Sequence, residues 1–369
     1  MTEAVRAGRI LTMDPGRPEI FDGGMLIRDG RILAVGPWHE VAGHGVARDL
    51  GAATIVPGLI NAHTHLELSH LAGRVTTGQG FMAWADSLFA AMNRERASET
   101  AAGRALDEAR LSGTCLVGDV VGREIDLVCR ALDNAGVEGF LFREFSGRER
   151  EFNPSPLATS WSPAIHSLYS ADPGFAQTVK AWCSRRDLPF SLHLAEVPGE
   201  NELFRSGGGE FADFLRARRI LSKGFKASGF GAVELADKLG LLDGRTLAVH
   251  CVHLNDGDVE ILARSGASVC LCLRSNRLIG VGEAPVAALH AAGVGLCLGT
   301  DSLASVQNLD LWEEARAMRA LLQSASLQDL LTMVTVNPAR ILGIDRDLGS
   351  LEAGKRAVWA VLPGDFCRL

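Results

Sequence analysis

The chain has 369 residues, 47% of them hydrophobic and 22% charged, and a formal net charge of −7. That length suits one large domain, or a large one with a small companion, and an acidic balance without a basic cluster argues against nucleic acid as a partner. The opening residues lack an apolar core of leader length, and the most apolar stretch, 267–300, is interrupted by Arg274, Arg277 and Glu283, so neither a signal peptide nor a membrane span is expected.

Residues 1–52 alternate short apolar runs with turn signals, and Arg28-Asp29-Gly30-Arg31 predicts a hairpin. From Ile55 the pattern changes to apolar runs separated by helix-like stretches such as 98–112 and 256–264, the mark of βα units. The runs cover 55–62, 114–121, 138–145, 160–167, 189–196, 246–254, 267–274 and 294–301. Eight such units in about 250 residues predict an α/β fold, a (β/α)8 TIM barrel over 55–335. Gly207-Gly208-Gly209 predicts a loop that, to about Ser228, reads equally as a lid or as a loop without function. The last apolar run, within 357–366, reads as a returning strand. Residues 1–54 and 336–369 are therefore expected to form one small β-sandwich domain from both ends of the chain.

The eight cysteines are scattered, and Cys115, Cys251, Cys270, Cys272 and Cys297 sit inside apolar runs. That suits buried thiols in a reducing cytoplasm better than a disulfide framework. Cys270 and Cys272 have no second Cys or His pair nearby to complete a zinc site.

The chemistry gathers at the ends of the runs. His63 and His65 alternate at the end of the first, so both imidazoles can face one ion. His193 ends the fifth, His250 the sixth and Asp301 the eighth. Active sites of such barrels sit on that carboxyl face. Three histidines and a carboxylate suit one Zn2+ per chain, with Fe2+ or Mn2+ also acceptable to these ligands. Glu196, three residues past His193, is placed to move protons for an activated water, and His250 reads as either a ligand or a polariser of the attacked centre. The expected class is hydrolysis at an sp2 carbon: deamination of a ring amidine, or opening of a cyclic amide. A metal-binding scaffold without catalysis is the competing reading, and the acid beside the ligand set argues against it. Around this centre Trp84 is placed to stack on a flat ring, His166 to bond a ring nitrogen or hydroxyl, and Glu67 to bind a sugar diol. Arg143, Arg148 and Arg150 are candidates to clamp a carboxylate.

The run GLINAHTH at 58–65, the His193 and Glu196 pair, HCV from His250, GTDS around Asp301 and the closing NPA and GSLEAGK occur in an order that resembles the amidohydrolase superfamily over nearly the full length. Within it, HTHLELSHL, FMAW, SLHLAE, CLRSN at 272–276 and GTDSLAS are most similar to deaminases of adenosine-like nucleosides, and above all to aminodeoxyfutalosine deaminases of menaquinone synthesis. The resemblance implies that His63, His65, His193 and Asp301 hold the metal. It further implies that Glu196 shuttles protons, with Asp301 sharing in deprotonation of the water, and that His250 stabilises the water or the developing charge. Trp84, His166 and Ser305 are implied to face the substrate. Leu168 and Leu273 stand where the family usually has proline. Adenosine, methylthioadenosine, S-adenosylhomocysteine, guanine and cyclic amides remain alternative substrates, and a homodimer is allowed.

Overall fold

The computed structural model describes residues 2–43, 46–147, 152, 154–157, 159–221 and 224–367. Strands β1 (Thr2–Leu11), β2 (Glu19–Arg28) and β3 (Arg31–Pro37) form an antiparallel meander. The β2–β3 turn is the predicted one. Asp29 (φ 51°) and Gly30 (φ 75°) are both left-handed, as a two-residue hairpin with right-handed strand twist requires. β4 (Val46–Asp49) and β5 (Thr54–Pro57) add in parallel to β1, and β14 (Trp359–Val361) returns to pair antiparallel with β5. Both ends of the chain thus meet in one six-stranded sheet.

The run expected to be one strand from Ile55 to Ala62 is two strands. The break falls at Gly58, where a Cβ would lie 2.8 Å from Cys115 Sγ and 2.9 Å from Val358 Cγ1. β5 belongs to the terminal sheet and β6 (Leu59–Thr64) to the next one.

Seven further strands follow: β7 (Thr114–Val121), β8 (Glu138–Phe145), β9 (Trp161–Ile165), β10 (Phe190–Leu194), β11 (Thr246–His250), β12 (Ser268–Leu271) and β13 (Gly295–Leu298). They fall within the expected runs. β6 to β9 form one parallel four-stranded sheet and β10 to β13 another, each in chain order. Single backbone bonds cross between them at both sides: His193 N to His166 O (2.9 Å) and Asp301 N to His63 O (3.0 Å). The architecture is α/β with parallel sheets, consistent with a TIM-barrel-like fold.

Alternation along these strands sorts the side chains. Ile60, Ala62, Leu116, Phe140, Phe142, Val249, Cys270 and Cys297 share one inner cluster, whereas Leu141 packs outward. The thiols of Cys251, Cys270, Cys272 and Cys297 are buried and unpaired, as their apolar surroundings imply. The predicted helices carry their own start and stop signals. Ser98 caps Glu99–Leu111 through Ala101 N (3.2 Å). Asn255 and Asp258 form a capping box on Asp256–Ser265, which ends at left-handed Gly266. Helix Val336–Ile341 packs on β6 and β13, with Asn337 Nδ2 donating to Leu296 O (2.8 Å).

Gly207 and Gly209 flank helices Glu200–Ser206 and Glu210–Ala217, and Phe211, 2% exposed, lies against Phe81 and Tyr169. No described helix is long and apolar enough to cross a membrane.

Candidate active site

Six of the predicted site residues, His63, His65, His193, Glu196, His250 and Asp301, converge at the carboxyl ends of the parallel strands. His63 is on β6, while His65 lies one residue beyond it, where the backbone turns into the 3-10 helix Leu66–Leu71. Their rings nonetheless meet edge to face at 4.8 Å. The turn is pinned by Asp119, whose Oδ1 accepts from Thr64 Oγ1 (2.8 Å) and Leu66 N (2.7 Å). Burial pushes that carboxyl up to about 7.

His193, on β10, donates Nδ1–H to His166 O (2.9 Å), which leaves Nε2 with its lone pair 3.4 Å from His65 Nε2. Asp301 Oδ1 lies 3.7 Å from His65 Nε2 and 3.9 Å from His63 Nε2. Both ring nitrogens of His63 are buried without a hydrogen-bond partner among the described residues. Buried polar atoms are nearly always satisfied, so this ring needs something that the protein does not supply. The sets His63–His65–Asp301 and His63–His193–His250 each bring their ligand atoms within 4.8 Å of one another. Burial, reinforced by neighbouring rings, holds His63 and His193 well below the usual histidine range. That favours the neutral ring, the form that binds cations. Burial also lowers His65, but the carboxylates of Asp301 and Glu144 outweigh it and raise this one ring. The donor set fits a divalent metal.

Backbone geometry at the site is unusual. Ala195 (φ 52°), His250 (φ 74°), Cys251 (φ 49°) and Asp301 (φ 62°) all take left-handed conformations at strand ends, a strain that clusters at functional sites. The close approach of the eighth strand depends on Gly299, where a Cβ would fall 2.7 Å from His63 Cβ.

Glu196 Oε1 lies 3.7 Å from His250 Nε2. Burial, with Asp301 adding to it, pushes Glu196 up to about 8, within the range a proton shuttle needs. Its loop is held by Glu200, which accepts from Ala195 N and Glu196 N at 3.1 Å each. His250 Nδ1–H donates to Asn276 Oδ1 (2.9 Å), aiming the Nε2 lone pair toward Glu196. Asp301 Oδ2 accepts from Ser275 Oγ (2.6 Å) and Ser305 Oγ (3.0 Å), and its Oδ1 accepts from Ser302 N (2.8 Å).

Of the residues expected around the substrate, Ser305 and Glu67 are committed to partners within the protein. Ser305 is fully buried and holds Asp301 rather than facing a ligand. Glu67 was expected to bind a diol, but its carboxylate accepts from the N–H groups of Gly122, Arg123 and Glu124 (3.0–3.1 Å), before helix Ile125–Ala135. These donors bear the positive end of a helix dipole and take up the charge. Trp84, on helix Phe81–Arg94, donates Nε1–H to Ala304 O (3.0 Å) and so ties that helix to the loop carrying Asp301. His166 directs Nδ1 to Ser170 Oγ (2.9 Å), with its ring 4.9 Å from His193. Arg143 stacks on Phe145 (5.1 Å), on the outward face of β8. Arg148 and Arg150 lie outside the described residues.

Asn276, Ser275, Glu200 and Asp119 hold the site together, yet nothing in the sequence reading selected them. The CLRSN run held the signal for the first two: a polar pair directly after a buried strand.

The Amidohydrolase family model matches residues 54–366. A 5-methylthioadenosine/S-adenosylhomocysteine deaminase of Desulforudis audaxviator is 29% identical over 94% of this chain and 83% of its own length. The crystal structure of Helicobacter pylori aminofutalosine deaminase in complex with methylthio-coformycin aligns with a TM-score of 0.84 and 23% identity, covering 97% of this chain and 91% of that one. A zinc-bound adenosine deaminase of Xanthomonas campestris aligns at 0.80, with 23% identity over 98% of this chain and 84% of that one. The two structural likenesses speak for the fold. With a family model that spans residues 54–366, this chain belongs to the amidohydrolase family.

Proposed function

We propose that the protein is a zinc-dependent aminohydrolase that removes the 6-amino group of an adenosine-like nucleoside, with 6-amino-6-deoxyfutalosine as the leading substrate. The observation that carries this reading is the juxtaposition of Glu196 and His250 with the His63–His65–His193–Asp301 cluster at one mouth. His63, His65, His193 and Asp301 would hold the ion. When bound, a divalent metal supplies Lewis acidity that makes water nucleophilic near neutral pH. The remaining steps belong to the chain's own residues. Glu196 takes a proton from the attacking water and delivers it to the ring nitrogen beside C6. The second proton of the water follows to the departing amine, so that ammonia leaves and an inosine-like lactam remains. Asp301 shares in that deprotonation. His250, aimed by Asn276, accepts a hydrogen bond from the attacking water through its Nε2 lone pair and so holds that water in place. Zinc is favoured by the donor set and by the zinc-bound neighbour, with Fe2+ or Mn2+ acceptable to the same ligands.

On this reading the eight parallel strands close as a (β/α)8 barrel flanked by a small β domain from both chain ends. Eight free thiols suit a reducing cytoplasm, menaquinone synthesis is the pathway served, and a homodimer is compatible with the fold. A second substrate reading, methylthioadenosine or S-adenosylhomocysteine, is favoured by the name of the Desulforudis relative. Ammonia release by the zinc-loaded protein decides between them, ranked by kcat/KM over aminodeoxyfutalosine, adenosine, methylthioadenosine, S-adenosylhomocysteine and guanine. Preference for aminodeoxyfutalosine supports the leading reading. Preference for another nucleoside keeps the chemistry and moves the substrate. No ammonia from any of them overturns it and turns attention to cyclic amides.

A further inference from the structure

One acid at the mouth of the site has no task in the scheme above. Glu144 lies near the carboxyl end of β8. Phe140 and Phe142 of that strand point into the inner cluster, and the two-residue repeat carries Glu144 to the same inward face, one layer nearer the mouth. Its Oε1 is buried and has no hydrogen-bond partner among the described residues. The nearby donor is His193 Nδ1 at 3.8 Å, but that N–H is already given to His166 O. His166 Nδ1 is likewise engaged with Ser170 and Ser167. Glu144 therefore does not orient either histidine through a hydrogen bond. A carboxyl oxygen accepts hydrogen bonds, and a buried acceptor without a donor is costly, so a ligand that brings a donor would satisfy it.

We infer that Glu144 accepts a sugar hydroxyl of the bound substrate and so selects ribonucleosides over free bases and deoxynucleosides. The inference rests on the nucleoside reading of this site. Adenosine carries hydrogen-bond donors only on its amine and its sugar hydroxyls. The amine is consumed next to Glu196 and His250, which come from the fifth and sixth parallel strands. Glu144 comes from the third, so the two acids address different parts of one ligand, and the hydroxyls are what remains for Glu144.

The test compares adenosine with 2′-deoxyadenosine and 3′-deoxyadenosine, using zinc-loaded wild-type protein and Glu144→Leu, with metal content measured for both. Loss of the bonded hydroxyl is expected to lower wild-type kcat/KM about 10- to 100-fold, the range for a hydrogen bond to a charged group. Glu144→Leu should turn over hydroxylated and deoxy substrates alike while keeping one metal equivalent. A wild type indifferent to both hydroxyls overturns the inference, and so does a variant that keeps the preference. A second metal equivalent lost with Glu144 also overturns it, because the residue would then be a ligand. If Glu144→Leu does not fold, Glu144→Gln and the wild-type analogue series carry the same comparison. Absence of ammonia from every nucleoside would instead refute the deaminase reading. Equilibrium binding of adenosine against its deoxy analogues would then still decide the role of Glu144.

Discussion

Asn276 sets the tautomer of His250. Its Oδ1 lies 2.9 Å from Nδ1, so the proton sits on that nitrogen and the lone pair of Nε2 faces Glu196 at 3.7 Å. Asn276→Ala releases the ring to rotate and to exchange tautomers. We expect kcat to fall about 10- to 100-fold with metal content unchanged, as for other residues that orient a working histidine. Steady-state kinetics beside metal analysis checks this, and an unaltered kcat would remove Asn276 from the machinery.

Glu196 carries the proton traffic. Glu196→Gln keeps the volume and removes the base, so turnover should fall by about two to four orders of magnitude. Fold and bound metal should persist, as read by circular dichroism and metal content. Near-normal turnover would refute the assignment.

Asp301 depends on two hydroxyls that bond one of its oxygens. Removing both, in Ser275→Ala with Ser305→Ala, leaves the carboxylate free to turn. Metal affinity should weaken about 10- to 100-fold, measured by competition with a chromogenic chelator. Loss of substrate affinity with metal affinity intact would return Ser305 to the substrate-facing role that the sequence suggested.

Glu314, wholly buried on helix Leu311–Leu321, is pushed up to about 8 by burial, with Arg274 opposing but outweighed. The folded state then holds a proton that the unfolded chain releases near pH ~4.3. Stability from this group is complete below that pH and is lost as pH rises through about 8. Glu314→Gln should flatten the decline. Urea unfolding at about pH 5 and about pH 9 tests the difference, and equal slopes for both proteins would show that Glu314 is ionised in the fold.

The unpartnered nitrogens of His63 predict a thermal response to metal. Chelation should lower Tm, and stoichiometric zinc should restore it, because an ion that binds only the folded state stabilises it by mass action. An unchanged Tm after complete metal removal would argue against this site.

The catalytic centre was legible because its residues stand at strand ends. His63, His193 and His250 terminate apolar runs, and parallel strands in register bring such ends together whatever the loops do. Side chains on loops were not legible. Glu67 is two residues beyond His65, yet the turn into a 3-10 helix sends its carboxylate to backbone amides of the neighbouring loop. Ser305 was drawn to the site by its motif, but a local bond to Asp301 fixes it behind the ligand. The break at Gly58 was hidden because both strands it separates are fully buried, so the apolar run is continuous through the change of sheet.

The bond from Asp301 N to His63 O is one of the few that tie the two parallel sheets together. His63 and His65 hang from one sheet, His193 and His250 from the other, and Asp301 follows the last strand of the second. An ion shared among them is therefore a rivet between the halves of the molecule, and it can be set only once residues more than 200 positions apart have met. Metal capture then falls late in folding, after most long-range contacts exist. Metal removal should raise amide exchange at 63–66 and 299–302 above its rate in the metal-bound protein.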